Sequence, residues 1–442
     1  MKKAFVSIVS SYVGYCIASV LHRHEYDVVG SVRAEDTEDI TVLVSQTVDA
    51  DDEGATAELA LSSDVVVLCL LEDVRGADAV ISAFQKLSAS ESSRPGHLLV
   101  LSTTMTWAKT KPPTAGAFTF SEMPASPSSS SLLRMASTMA VDRRSPRGAG
   151  GGGTAGGSLP RVASAVSRSS PSRDGLRPVG TASSKNSGRP DYASTLSRQG
   201  FHEPNEEPAM TEAHYQMRQP PLGYLEHKRL EVAALQLDSP VLSTCVVGAG
   251  VPYGLGEGPL LRVVRGAWRA RGTPVDLPTC TQGDNYVPLI HVADLSFAVG
   301  SLLRPVGPDA LPDRFPKPYV LAVEGDESQC TARDMTSAIG RAFGGGGETR
   351  PIGEAELEEL LVEDPAALSL LINVRFSNKG GVLAGMEAEG IFEPITWSQG
   401  FVASAQLVAR EFVISRSLQQ IKAVVLGPPG GDQGFVCQQA SS

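Results

Sequence analysis

The sequence predicts an α/β fold, a doubly wound parallel sheet with helices on both faces. Two observations carry this expectation. Short runs of nearly continuous Val and Leu, suited to strands buried on both faces, alternate with amphipathic helical stretches. Once residues 113–208 are set aside, that alternation extends across 1–112 and 209–345.

The elements follow in order. KAFVSIV predicts a first strand, GYCIASVLHRH a helix and YDVVGSV a second strand. DVVVLCLL is a third strand, GADAVISAFQKL a helix and HLLVLSTTM a fourth strand. Beyond residue 208 come a helix at YLEHKRLEVAALQL, a strand at PVLSTCVVGA, a helix at GPLLRVVRGAWRA and a strand at PYVLAVEG. Residues 346–420 read as a helical lobe or linker, with an acidic run through Glu354, Glu356, Glu358, Glu359, Glu363 and Asp364 suited to a solvated face.

Residues 113–208 break the pattern with PASPSSSS, RGAGGGGTAGG and SRSSPSRDGLRP. Such Ser, Gly, Pro and Arg density cannot bury enough apolar surface to offset the entropy of ordering, so a disordered insertion is expected. Its RRSPR and SRSSPSR stretches suit kinase substrates or a weak anionic-partner site, or simply a solvated spacer.

Charge and cysteine content exclude several classes. The net charge of −11 hides a basic insertion: residues 121–200 hold eleven Lys+Arg against four Asp+Glu, or +7, leaving −18 for the remainder. An acidic body argues against nucleic acid as a partner. No apolar run reaches the roughly 18 residues a membrane span needs. The N-terminal MKKAFVSIVSSYVGYCIASVL imitates a signal peptide, but Ser, Tyr and Gly interrupt its apolar run, and it reads as strand and helix. Six cysteines include no Cys-x-x-Cys pair and no zinc-like spacing, so a reduced, cytoplasmic protein without metal is expected.

Three places could carry chemistry. The first strand-to-helix turn, Ser7-Ile8-Val9-Ser10-Ser11-Tyr12-Val13-Gly14, stands where such folds bind a dinucleotide pyrophosphate on glycines and helix amides. Only Gly14 survives of the glycine pattern, although Ser10 and Ser11 offer hydroxyls, so NAD(P) binding here is expected to be weak. Arg33, after the second strand, is placed for the 2′-phosphate of NADP or is an ordinary solvated arginine. Tyr224 and Lys228 fall one turn apart on a helix, a spacing that allows an ammonium to favour phenolate and create a general acid or base. His22 and His24 lack a third metal ligand, and His291 at a strand end suits a structural hydrogen bond.

LSTTMTWA, TEAHY, PPLGY, YLEHK and IHVADL together resemble the extended short-chain dehydrogenase/reductase (SDR) family, which includes NAD-dependent nucleotide-sugar epimerases and has a Rossmann-like fold. The resemblance implies a catalytic triad of Thr103, Tyr224 and Lys228, with Lys228 also holding the nicotinamide ribose. It likens Tyr253-Gly254 to the family's substrate-loop segment and His291-Val292-Ala293-Asp294 to a strand-to-helix corner. Trp107 departs from the family's usual tyrosine, and no Arg-Pro precedes Tyr253-Gly254. The SDR-like portion is thus 1–112 and 209–345, with a small C-terminal substrate-type lobe.

A longer run of segments, from VLSTTMTWAKTKP through LLINVRFS to IKAVVLGPPG, resembles the multidomain adenylate kinases of motile cilia, in which a reductase-like domain precedes the kinase. That resemblance implies a ciliary or axonemal location, axonemal or other ciliary partners, and a kinase domain that begins at 421–442 and is truncated. IKAVVL then reads as its first strand. A phosphate loop needs G-x-x-x-x-G-K-[ST], but after Gly427, Gly430 and the chain up to Gly434 neither cation nor hydroxyl is supplied; Gln433 and Gly434 stand where they should come. Without them phosphoryl transfer lacks its electrostatic stabiliser, so neither ATP/Mg binding nor kinase activity is expected. The expectation is therefore a degenerate NAD(P)-binding scaffold, with an active oxidoreductase or epimerase using Thr103, Tyr224 and Lys228 as the alternative.

Overall fold

The computed structural model describes residues 2–33, 42–88, 96–111, 209–255, 258–270, 273–304, 314–325, 329–396 and 399–426. The 113–208 insertion and the glycines 427, 430 and 434 lie outside the described residues.

Seven strands form one wholly parallel sheet. They are β1 (Lys3–Val6), β2 (Asp27–Val32), β3 (Gln46–Asp49), β4 (Val65–Cys69), β5 (Gly96–Thr103), β6 (Leu242–Ala249) and β11 (Tyr319–Ala322). Their spatial order is β11-β6-β5-β4-β1-β2-β3, which reverses direction beside β1 in the doubly wound manner. The apolar runs read from the sequence are these strands: β4 and β6 are buried along their whole length.

Alternating side chains of each strand feed two cores. On one face Leu99, Leu101, Val65 and Val67 pack with α1 (Tyr12–Arg23). The helix Val292–Leu302 completes that face. On the other, Leu98, Val100, Val66 and Leu68 pack with α2 (Glu53–Leu61), α3 (Val74–Ser88) and α4 (Leu225–Leu235).

A third core forms the second lobe. It is built on β7 (Val251–Tyr253), β8 (Val275–Leu277), β9 (Tyr286–Val287), β10 (Leu289–His291), β12 (Cys330–Thr331) and β13 (Thr349–Pro351), paired as three two-stranded sheets. Around them lie α5 (Leu261–Ala270), α6 (the Val292–Leu302 helix already met), α7 (Ala332–Ala342) and, after α8 (Glu354–Glu363), which forms a small cluster with Ala367, and α9 (Val382–Ala388), which packs with the first face of the central sheet, α10 (Gly400–Leu426). Tyr253, Leu277 and Met335 share this core with Phe401, Val408 and Phe412 of α10.

One expected element is different. Residues 421–426, IKAVVL, belong to α10 rather than to a strand. An apolar run of that length suits either state, and here it continues a 27-residue helix with no Gly or Pro between Gly400 and Gly427 to stop it.

Candidate functional site

The turn between β1 and α1 keeps the shape of a dinucleotide-binding turn while filling it with the chain's own atoms. Ile8, a β-branched residue, sits at φ 44°, in the left-handed region that glycine normally takes, at a cost of about 1–2 kcal/mol. Its side chain and that of Val9 are buried. Gly14 is required by close packing, since a Cβ there would lie 2.2 Å from the Ile8 carbonyl oxygen.

Five amides of this turn are engaged internally. The Ile8 amide donates to the Ser31 hydroxyl at 2.9 Å and the Val9 amide to the Ser31 carbonyl at 2.8 Å. Ser11 caps the helix, accepting the Gly14 amide at 3.0 Å, while its own amide donates to the Ile8 carbonyl at 2.9 Å. The Val13 amide, inside the first turn, donates to a carboxylate oxygen of Glu72 at 3.3 Å. Glu72 follows β4, and its charge satisfies the positive end of α1 as a bound phosphate would. Tyr12 reaches across to the second lobe and donates its hydroxyl to the Gly254 carbonyl at 2.9 Å.

Arg33 donates to the Glu72 backbone carbonyl at 3.2 Å. It lies close enough to Asp73 to oppose the rise in that carboxyl's pKa, which burial causes. A pyrophosphate entering this turn has to displace internal partners: the Ile8, Val9, Ser11, Val13 and Gly14 amides are already bonded, and a carboxylate occupies the helix end.

The second place is the end of β5 against α4. Alternation directs Thr103, with the parity of Leu99 and Leu101, toward the face of α1 and α6. Its hydroxyl accepts the Met105 amide at 3.1 Å and caps the short 3₁₀ turn Thr104–Trp107. Ser102 is the residue directed at α4, where it donates to Glu231 at 2.5 Å. Glu231 in turn takes Arg218 at 2.5 Å, an ion pair whose side chains are 2% and 0% exposed. The Arg218 guanidinium lies over the Tyr319 ring, 4.6 Å from its centroid, and Tyr319 accepts the Trp107 indole N–H at 3.0 Å.

Tyr224 and Lys228 border this cluster. The Lys228 ammonium donates to the Arg218 carbonyl. Burial lowers its pKa, and the charge of Arg218 lowers it further. Burial raises the Tyr224 phenol, whose ring lies 4.9 Å from that of His227. Among the described residues no hydrogen bond joins Thr103, Tyr224 and Lys228. A phenol pushed upward, beside an ammonium already bound to a carbonyl, is poorly set to exchange protons near neutrality.

The third place was not legible in the sequence. Tyr253, Asp294 and Glu324, all fully buried, form a polar network at the foot of α10. Tyr253 donates to Glu324, whose other oxygen accepts the Phe401 amide at 3.0 Å. Asp294 accepts the amides of Ile395 at 2.5 Å and Thr396 at 2.9 Å, and also the Thr396 hydroxyl at 2.9 Å. His291 caps α6 by accepting the Ala293 amide at 3.2 Å and faces Glu411 at 3.4 Å. Glu411 also holds the Leu255 amide at 2.7 Å. The family resemblance points to Tyr253 and to His291–Asp294 separately, but Glu324, which joins Tyr253 to α10, is marked in the sequence only as a charged residue directly after an apolar strand, Ala322-Val323-Glu324.

No family model matches the chain. Adenylate kinase 7 of Macaca fascicularis is 31% identical over 202 residues, which is 45% of this chain and 34% of that protein. This chain is similar to adenylate kinase 7. The mouse (Mus musculus) adenylate kinase 7 gives the same result, 30% over 243 residues, covering 53% of this chain and 36% of its own length. The chain thus spans about a third of the adenylate kinase 7 relatives it matches.

Among solved structures, MoeE5 in complex with UDP-glucose and NAD is similar with TM-score 0.50 and 13% identity, covering 94% of this chain and 99% of that one. A UDP-glucose 4-epimerase of Thermotoga maritima gives TM-score 0.48 at 10% identity, over 94% and 99%. The fold is that of the epimerase-type, Rossmann-like reductases. No helix among the described residues is long and apolar enough to cross a membrane.

Proposed function

We propose that this chain is a degenerate SDR-like module of an adenylate kinase 7-type protein, serving as a scaffold with at most weak NAD(P) binding. The observation that carries the reading is Glu72 on the Val13 amide, in a turn where the Ile8, Val9, Ser11 and Gly14 amides are also engaged. An internal carboxylate that already satisfies the helix end must be displaced before a pyrophosphate can enter, and its charge repels one. The ion pair of Arg218 and Glu231 supports the same reading, because it ties the helix that bears Lys228 and is capped by Tyr224 into a structural network. Axonemal or other ciliary proteins are the partners this reading implies, by the likeness to adenylate kinase 7. Gln433, standing where a phosphate loop has lysine, argues against ATP:AMP phosphotransfer by this stretch.

An NAD(P)-dependent oxidoreductase is the second reading, favoured by Tyr224 at the N-cap of α4 and Lys228 four residues on, in the helix that packs on β5 and β6. Titrating the protein with NADH and NADPH while following nicotinamide fluorescence separates the two. The scaffold reading expects no saturable response below millimolar cofactor. Micromolar binding that disappears in Lys228→Ala would overturn it in favour of the enzyme. A coupled assay with ATP and AMP is expected to stay at blank.

A further inference from the structure

The second lobe carries a cluster of arginines around an exposed tryptophan, with Arg269 exposed and Arg265 and Arg416 half-buried. Arg265, Trp268 and Arg269 occupy positions i, i+3 and i+4 of α5, so their side chains share one face. Trp268 stands edge-on to Phe412 of α10, with ring centroids 5.8 Å apart. Arg416, one turn further along α10, places its guanidinium 5.5 Å from the centroid of the same ring. Phe412 therefore seats Trp268 and Arg416 side by side, next to Arg265. The positive charges of Arg416 and Arg269, together with desolvation as the first cause, depress the Arg265 pKa.

Some surface arginines of this chain meet carboxylates. Arg262, on the same helix, pairs with Glu363 at 2.7 Å, and Arg350 pairs with Asp276 at 2.7 Å. Arg265 and Arg269 pair with none among the described residues. Like charges at i and i+4 cost a helix about 0.2–0.5 kcal/mol, so the sequence maintains a small penalty here. Trp268 is 37% exposed and Val413, next to Phe412, is 47% exposed. Arginine and tryptophan around an apolar contact are the residue types that dominate binding energy at protein interfaces.

We propose that the face formed by Arg265, Trp268, Arg269 and Arg416 binds an acidic, leucine-containing segment of a partner polypeptide. The chain as a whole carries −11, so a long polyanion such as a nucleic acid meets repulsion beyond the patch. A short segment with a few carboxylates engages the patch alone, and its apolar residues cover Trp268. This site is remote in chemistry from the β1–α1 turn and stands whether or not that turn admits a cofactor.

The test titrates the full chain into a short fluorescein-labelled peptide alternating glutamate with leucine, read by anisotropy. Saturable binding is expected, weakened about tenfold or more in Arg265→Glu/Arg269→Glu. Trp268→Ala is expected to weaken it as well, which a purely electrostatic contact would not show. The reversed protein should gain affinity for the matching lysine–leucine peptide, which an unfolded variant could not do with the same saturation. Binding that ignores the reversal overturns the proposal. So does tighter binding of a single-stranded oligonucleotide of equal charge, which makes the site one for nucleic acid. Sedimentation showing a dimer that the reversal dissolves also overturns it, since the acidic face would then be that of a second copy.

Discussion

Glu324 accepts the Tyr253 hydroxyl in the buried floor of the second lobe, and its other oxygen fixes the Phe401 amide at the foot of α10. Burial, with the two hydrogen bonds opposing it, leaves the Glu324 carboxyl pushed up to about 7 from 4.5. The folded chain therefore holds this proton more tightly than the unfolded chain does. The stabilisation is fully present below about 4.5 and is lost as the pH rises through about 7. A shift of this size corresponds to roughly 3 kcal/mol. Urea midpoints should fall across that window in the natural protein and stay nearly level in Glu324→Gln, which keeps an acceptor for Phe401. Equal slopes in the two proteins would show that another group sets the pH dependence.

Glu72 is expected to stabilise α1 through charge and a hydrogen bond at its N-terminus. Glu72→Ala should cost about 0.5–1 kcal/mol at low salt. The deficit should shrink as salt is added, because the interaction is partly exposed to solvent. Thermal melts at two ionic strengths read this directly. A melting temperature that does not move in either buffer contradicts the role given to this carboxylate.

Glu231 and Lys228, both on α4, should respond very differently to removal. Glu231→Ala leaves Arg218 buried without its counter-charge and should cost about 3–5 kcal/mol, a large part of the stability of an ordinary domain. Lys228 is half-buried and donates to a backbone carbonyl, so Lys228→Ala should cost about 1 kcal/mol. Urea unfolding of both variants checks the ranking, and the reverse order would mean that Lys228 holds the network together.

Most of the sheet was legible because its strands are short uninterrupted runs of Val and Leu, a pattern that local sequence states directly. β3 was not: Gln46–Asp49 is polar and largely exposed at the sheet edge, so its pairing with β2 leaves no hydrophobic signature. The strands of the second lobe are only two or three residues long and carry no periodicity to read. IKAVVL was ambiguous for the opposite reason, being apolar in either state. At the candidate site, the missing glycines were plain in the sequence, but what replaced them was not. Glu72 lies 59 residues from the amide it meets, in a loop where a lone carboxylate looks like solvent-facing decoration. Thr103 was singled out for its place at a strand end, while the neighbour that reaches α4 is Ser102; one step along a strand changes the face, and a resemblance does not fix that register.

Residues 112–208 depart from and return to a tightly knit part of the sheet. β5 and β6 flank this stretch and run side by side from Gly96 beside Leu242 to Thr103 beside Ala249. At the edge of the stretch the Lys109 amide donates to the Gln219 carbonyl at 2.9 Å, and the Gln219 amide to the Thr110 hydroxyl at 2.9 Å. The stem is thus closed by its own hydrogen bonds, independently of the peptide that connects it. Two separate polypeptides, one ending at Lys111 and the other starting at Ala209, would retain every strand pairing of the central sheet and could assemble as a split protein.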